Sequence, residues 1–207
     1  MSRDRNLGYE RQEKDFYPTP DWPTEALLRQ PEVRLPNGIW EPCCGTGDMA
    51  RVLEAHGHRV VATDLFDRGY GEGRRDFLME TQLPADVTTI VTNPPYGRNL
   101  YKFVDHALEL TRPVGGMVAL LVNIQWQTGA ENSKRLRIPA FDASVFLTKR
   151  IVWFPGNDGR PAKQPQENHC WLVWDHSRPP GPARHLFAGD GPEGAPESES
   201  EVQRRSA

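Results

Sequence analysis

Gly38-Ile39-Trp40-Glu41-Pro42-Cys43-Cys44-Gly45-Thr46-Gly47-Asp48 decides the fold. A short apolar run ends on an acid, passes through a turn holding two glycines, and enters a stretch (48–56) with Met49, Val52 and Leu53 at helical spacing. That is a strand, a glycine turn and a helix. Further along, 59–64, 88–92 and 117–122 are short apolar runs of the same kind, and 100–110 sets Leu100, Phe103, Val104, Ala107, Leu108 and Leu110 on an amphipathic helix. Continuous apolar strands suit a parallel sheet buried on both faces. Residues 144–154 and 169–174 read as two longer strands, an antiparallel pair. The sum predicts an α/β fold: a doubly wound, mostly parallel sheet of the seven-stranded Rossmann-like type with an antiparallel edge hairpin.

Composition bounds the rest. The chain has 207 residues, 37% hydrophobic and 26% charged, enough for one domain with a substantial core. Residues 1–15 hold four basic and four acidic side chains and read as a flexible arm, 16–176 as the domain, and 177–207, rich in Pro, Gly and Glu, as a disordered tail. Three cysteines make no disulfide framework, and the first residues lack the apolar segment of a signal peptide. Together with the absence of a run of roughly 20 apolar residues, this gives the expectation of a soluble cytoplasmic protein of bacterial or phage type, without a membrane partner. A formal net charge of −3 excludes a uniformly basic nucleic-acid binder, so any such contact must be local.

In a doubly wound sheet, ligands bind beyond the carboxyl ends of the strands. After the first strand stand Glu41, Cys43, Gly45 and Gly47. After the second come Asp64 and Leu65, with Asp64 placed 17 positions beyond Gly47, close to the spacing at which an acid accepts ribose hydroxyls. No third glycine follows in dinucleotide register and no lysine follows as in a phosphate-binding loop, so the ligand expected is an adenosine without phosphates, bearing a charged amino-acid moiety. S-adenosylmethionine is that kind of molecule.

After the third strand comes Asn93-Pro94-Pro95-Tyr96. Each proline pushes the residue before it towards extended geometry and offers no N–H, so the loop is preset and rich in acceptors. An exocyclic amine conjugated to a planar ring is a poor nucleophile. Acceptors on its hydrogens, the Asn93 side-chain oxygen and the Pro94 carbonyl, would return lone-pair density to nitrogen in the transition state. Tyr96 offers a ring for a planar substrate.

With these residues in place the chain resembles the class I amino-methyltransferases, particularly the adenine-N6 DNA methyltransferases, over roughly residues 16–175. Phe16-Tyr17-Pro18-Thr19-Pro20 looks like the family's leading cofactor motif, which implies that Tyr17, Thr19 and Pro20 cover S-adenosylmethionine and that Thr19 meets its carboxylate. Residues 41–47 look like the glycine motif. Arg75-Asp76-Phe77-Leu78 resembles the next element, implying Asp76 on the cofactor's adenine amine with Phe77 beside its ring, and 93–96 matches the catalytic motif. Val152-Trp153-Phe154-Pro155 is similar to the segment that supplies a second aromatic, so Phe154, with Trp153 as second choice, would stack an adenine flipped out of a duplex against Tyr96.

The family's recognition domain has no counterpart: 14 residues separate Leu78 from Asn93, and a short loop, one strand and a tail follow the second aromatic segment. DNA is the leading partner, with low sequence specificity or specificity supplied by another protein. Lys134, Arg135 and Arg137 form a small basic loop that could meet phosphates or be plain surface charge. RNA adenine or guanine, or protein glutamine, stays open as the amine. So do a noncatalytic nucleic-acid-binding subunit on the same fold and a different nucleoside-dependent enzyme. His56 with His58, and His169 with Cys170, lack further ligands at metal spacing, and no metal is expected.

Overall fold

The computed structural model describes residues 17–97, 99–153 and 167–189. Strand β1 (Gly38–Glu41) leads through the glycine turn into helix α2 (Asp48–Ala55) and strand β2 (Arg59–Ala62). The chain then recrosses to β3 (Thr89–Thr92), α3 (Leu100–Thr111) and β4 (Met117–Asn123). Helix α1 (Asp21–Leu28) precedes this unit; β5 (Phe141–Leu147), β6 (His169–Asp175) and β7 (Arg184–Ala188) complete it. The sheet has seven strands in the order β2-β1-β3-β4-β6-β5-β7. β1, β2, β3 and β4 are parallel, while β6 runs antiparallel to both β4 and β5.

The strand order reverses at β1: β2 lies on one side and β3 on the other. The crevice beyond their carboxyl ends is where such sheets take ligands. Both faces are covered. In β4, Met117, Ala119 and Leu121 join the core beneath α1 and α2, which includes Leu27, Met49 and Leu53. Val118, Leu120 and Val122 alternate into the opposite core with Val104 and Ala107 of α3. This two-sided burial is why β4 is apolar at nearly every position. Among the described residues no helix is long and apolar enough to cross a membrane.

Two sequence expectations change. The antiparallel pair is not the edge of the sheet, because β6 sits between β4 and β5, and β7 pairs parallel to β5 outside it. β7 also lies inside the segment 177–207 expected to be disordered, so the ordered domain runs past residue 176. Asp142 on β5, only 1% exposed, holds this extension: its carboxylate accepts from Arg178 at 2.5 Å and from Arg184. A buried carboxylate is tolerable there because two guanidiniums meet it.

Candidate active site at the carboxyl edge of the sheet

A cavity of about 250 Å³ opens where β1, β2 and β3 end, lined among others by Tyr17, Thr19, Glu41, Cys43, Gly45, Asp64, Leu65, Asp76, Phe77 and 93–96. The structure therefore brings together residues from five separated stretches of chain. The turn after β1 is tied down internally: the Cys44 N–H donates to the Thr63 carbonyl at 2.9 Å, the Gly47 N–H to the Cys44 carbonyl at 2.7 Å, and the Thr46 hydroxyl to the Asp48 carboxylate. Asp64 clasps it from β2. One carboxylate oxygen accepts from the Gly45 N–H and the other from the Phe66 N–H, both at 2.8 Å. Each oxygen keeps a further lone pair for a ligand hydroxyl.

Two expected ligand contacts, Gly47 and Pro20, lie outside the cavity lining. Gly47 has φ of +84° and caps α2, and a Cβ there would come within 2.3 Å of the Tyr70 ring, yet Gly47 does not line the cavity. Glycine is required there by the turn and by the Tyr70 ring. Pro20 likewise stands at the cap position of α1, outside the cavity lining.

Four carboxyl groups and two guanidiniums line the cavity, the latter from Arg68 and from Arg75, which is paired with Glu72 and Glu80. Glu41, Asp48, Asp64 and Asp76 line it beside Met49, Leu65, Phe66 and Phe77. Glu41 is 2% exposed, and burial, reinforced by the nearby Asp48 and Asp64 charges, pushes its carboxyl up to about 8. Its Oε2 is buried without a hydrogen-bond partner among the described residues. Burial also raises both thiols, Cys44 to about 12, which disfavours their thiolates. Asp76 accepts from the Leu78 N–H at 3.0 Å and caps the turn Phe77–Met79. Phe77, 3% exposed, is held edge-on to Trp40 at 5.2 Å and stacked on Phe103 at 5.5 Å. Such a wall offers carboxyl acceptors for hydroxyls or an ammonium and an aromatic face for a ring.

On the β3 side, Asn93 is held by its amide. Nδ2 donates to Thr19 Oγ1 at 3.1 Å and to the Tyr17 carbonyl at 3.4 Å. A carbonyl can only accept, so this pairing sets which amide atom is which. Oδ1 is left buried, with no partner among the described residues. Tyr96, whose hydroxyl donates to the Leu121 carbonyl at 3.5 Å, joins an aromatic cluster with Tyr17 at 6.1 Å, Trp153 at 6.3 Å and His169 at 5.9 Å. Burial pulls the His169 imidazole down to about 4, so this neighbour is neutral at pH 7.

Trp153 is near Tyr96 but does not stack with it. Its ring is edge-on to both Tyr17 and Tyr96, is 7% exposed and stays out of the cavity lining. Phe154 lies outside the described residues.

The basic loop is largely spoken for. Arg135 makes a two-bond pair with Asp105 at 2.5 Å and lies over the Tyr101 ring, and Lys134 pairs with Glu131 at 2.8 Å. Arg137 is exposed. None of the three lines the cavity. Lining residues that sequence reasoning did not name as site residues include Thr46, Phe66 and Arg68, while Asp48 lines the cavity as the end of the glycine turn. Thr46 and Asp48 stood within the turn already singled out, whereas Phe66 enters only because the Asp64 clasp turns the chain after β2. Among the described residues no group of His, Cys, Asp and Glu is placed to hold a metal ion.

No family model matches the sequence, and no curated protein matches it. Solved structures do match. The methyltransferase subunit of a type I restriction-modification system from Streptococcus thermophilus superposes with TM-score 0.55 at 12% identity, over 90% of this chain and 50% of that one. The M protein of the type I restriction enzyme EcoKI gives 0.51 at 12% identity, over 76% and 43%. The 23S rRNA methyltransferase ErmE gives 0.53 at 16% identity, over 76% and 68%. The fold is thus the Rossmann-like fold of methyltransferases. The chain spans about half the length, or less, of the two type I subunits.

Proposed function

We propose that this protein transfers a methyl group from S-adenosylmethionine to an exocyclic amino group, with adenine N6 in DNA as the leading substrate. The observation that carries the reading is the buried, unpartnered Oδ1 of Asn93 beside the cavity. A buried acceptor without a donor costs about 1–3 kcal/mol, and an amine N–H in the site would relieve it.

The residues present fit the cofactor. Glu41 Oε2 is an acceptor for its ammonium, Asp64 for ribose hydroxyls, Asp76 for the adenine amine, and Leu65 and Phe77 flank a ring. When bound, that group supplies an electrophilic methyl carbon on a positively charged sulfur. The chain's own residues prepare the amine. Asn93 Oδ1 and the Pro94 carbonyl accept its two hydrogens, which disfavours the flat, conjugated nitrogen and favours the pyramidal one that attacks. Pro94 and Pro95 bring no N–H that would compete. Tyr96 lines the cavity and is steadied at its back by Tyr17 and Trp153, so the target ring meets a fixed partner. A duplex base must leave its stack to arrive there, and Phe154 is the candidate second plate.

Support for DNA comes from the residues 17–20 and from the likeness to the type I subunits. The likeness to an rRNA methyltransferase keeps RNA as the second reading. The short connection between Leu78 and Asn93 supports low or partner-supplied sequence specificity. Purified protein with radiolabelled S-adenosylmethionine is offered duplex DNA, RNA and cell-extract protein separately. Label is expected in DNA as N6-methyladenine; label in RNA or protein alone would overturn the DNA assignment.

A further inference from the structure

We infer that Thr19 is a positioning residue for Asn93: its hydroxyl oxygen holds the side-chain amide in the orientation that leaves Oδ1 free for the incoming amine. The inference deepens the methyltransferase reading and rests on it. An asparagine amide rotates about a broad, nearly two-fold torsion, and turning it over exchanges an acceptor for a donor. For an acceptor-based site that exchange is fatal, since Nδ2 would point hydrogens at the hydrogens of the amine. Something must break the symmetry.

The structure supplies two acceptors on the Nδ2 side and, among the described residues, no donor on the Oδ1 side. Thr19 Oγ1, at 3.1 Å, is the closer; the Tyr17 carbonyl, at 3.4 Å, is near the limit of a useful bond. Thr19 is 5% exposed, with its position fixed by its place directly before Pro20 at the cap of α1. Having spent its oxygen on Asn93, the Thr19 hydroxyl still has a proton to donate, and Thr19 lines the cavity. A carboxylate in the cavity that accepted a hydrogen bond from this O–H would make Oγ1 a stronger acceptor for Asn93. Cofactor occupancy and asparagine orientation are thereby joined through one hydroxyl, so Thr19 serves two partners and not the cofactor alone.

Thr19→Val keeps the shape and removes the hydroxyl; Thr19→Ser keeps the hydroxyl. Thr19→Val should lower kcat about 10- to 100-fold while leaving KM for the amine substrate within about threefold, and Thr19→Ser should recover most of the rate. The direct readout needs no turnover: in 15N-labelled protein without cofactor, the Asn93 side-chain amide, assigned by its loss in Asn93→Asp, should give separate exchange-protected proton signals that Thr19→Val abolishes. A wild-type Asn93 amide already unprotected, or one unchanged by Thr19→Val, overturns the inference even if a variant folds poorly. So does a Thr19→Val defect that saturating S-adenosylmethionine fully restores. Absence of methyl transfer by the wild type would instead sink the proposed function, while the amide signals still report on Thr19.

Discussion

The loop leaving β1 and the loop leaving β3 stand side by side at one edge of the sheet, and they treat their polar groups in opposite ways. In the first, Cys44, Gly45, Thr46 and Gly47 all donate hydrogen bonds within the protein. In the second, prolines withdraw two donors and Asn93 keeps a buried acceptor unanswered. A loop closed on itself is a preformed wall. A loop left one donor short waits for a molecule that brings it, and this contrast separates binding from chemistry in the proposed reaction.

The contrast breaks most sharply at Asn93. Asn93→Ala is expected to cost about 100-fold or more in methyl transfer, with S-adenosylmethionine affinity by calorimetry within about threefold; near-normal transfer would remove the unanswered acceptor from the mechanism. On the closed side, Gly47→Ala should destabilise by roughly 2–3 kcal/mol, because it strains a left-handed position and drives a methyl into Tyr70. Urea denaturation measures this, and an unchanged midpoint would show that the turn is not fixed as described.

Glu41 is the exception on the closed side, since it too keeps an unanswered oxygen. Its carboxyl is raised from 4.5 to about 8, so the folded protein holds the proton more tightly than the unfolded chain. The corresponding stability is full below about pH 4.5 and is lost as pH rises through about 8. Glu41→Gln should flatten that decline by about 1–3 kcal/mol between pH 5 and 8, read from denaturation midpoints across pH. Wild type should also release a proton on binding S-adenosylmethionine near pH 7, seen as buffer-dependent heat, and Glu41→Gln should not. The smallest effect is expected at Lys134 and Arg137: replacing both with Ala should change duplex affinity by less than about threefold, given the exposed Lys134 pair with Glu131. A tenfold loss in a filter-binding titration would return the basic loop to the nucleic-acid surface.

Sequence patterning reached much of this arrangement because the parallel half is built from strands buried on both faces, whose apolar runs stand out plainly. β7 was hidden for the opposite reason. His185 and Phe187 face out, Leu186 alternates inward, and the strand is embedded in Pro- and Gly-rich chain that dilutes any compositional average. Helix α1 was not predicted; Pro20 and Pro23 sit at its cap and first turn, where proline is tolerated. At the site, the Asn93–Tyr96 loop and the acids after β1 and β2 were legible from strand ends alone. The Gly47–Tyr70 contact, the burial of Trp153 and the pairing of Arg135 with Asp105 were not, because each depends on a partner brought in by tertiary packing.

The salt-bridged carboxylate of Asp142 carries a practical warning for anyone trimming this protein. Cutting after Asp175 looks harmless on composition, yet it removes both arginines that neutralise Asp142 and strips β7 from its neighbour. What remains is an interior charge with no counterion and a long bare strand edge, open to pairing with other chains. The shortened protein would be prone to precipitation before the proposed activity could be assayed, and a negative result would then be blamed on the wrong end of the molecule.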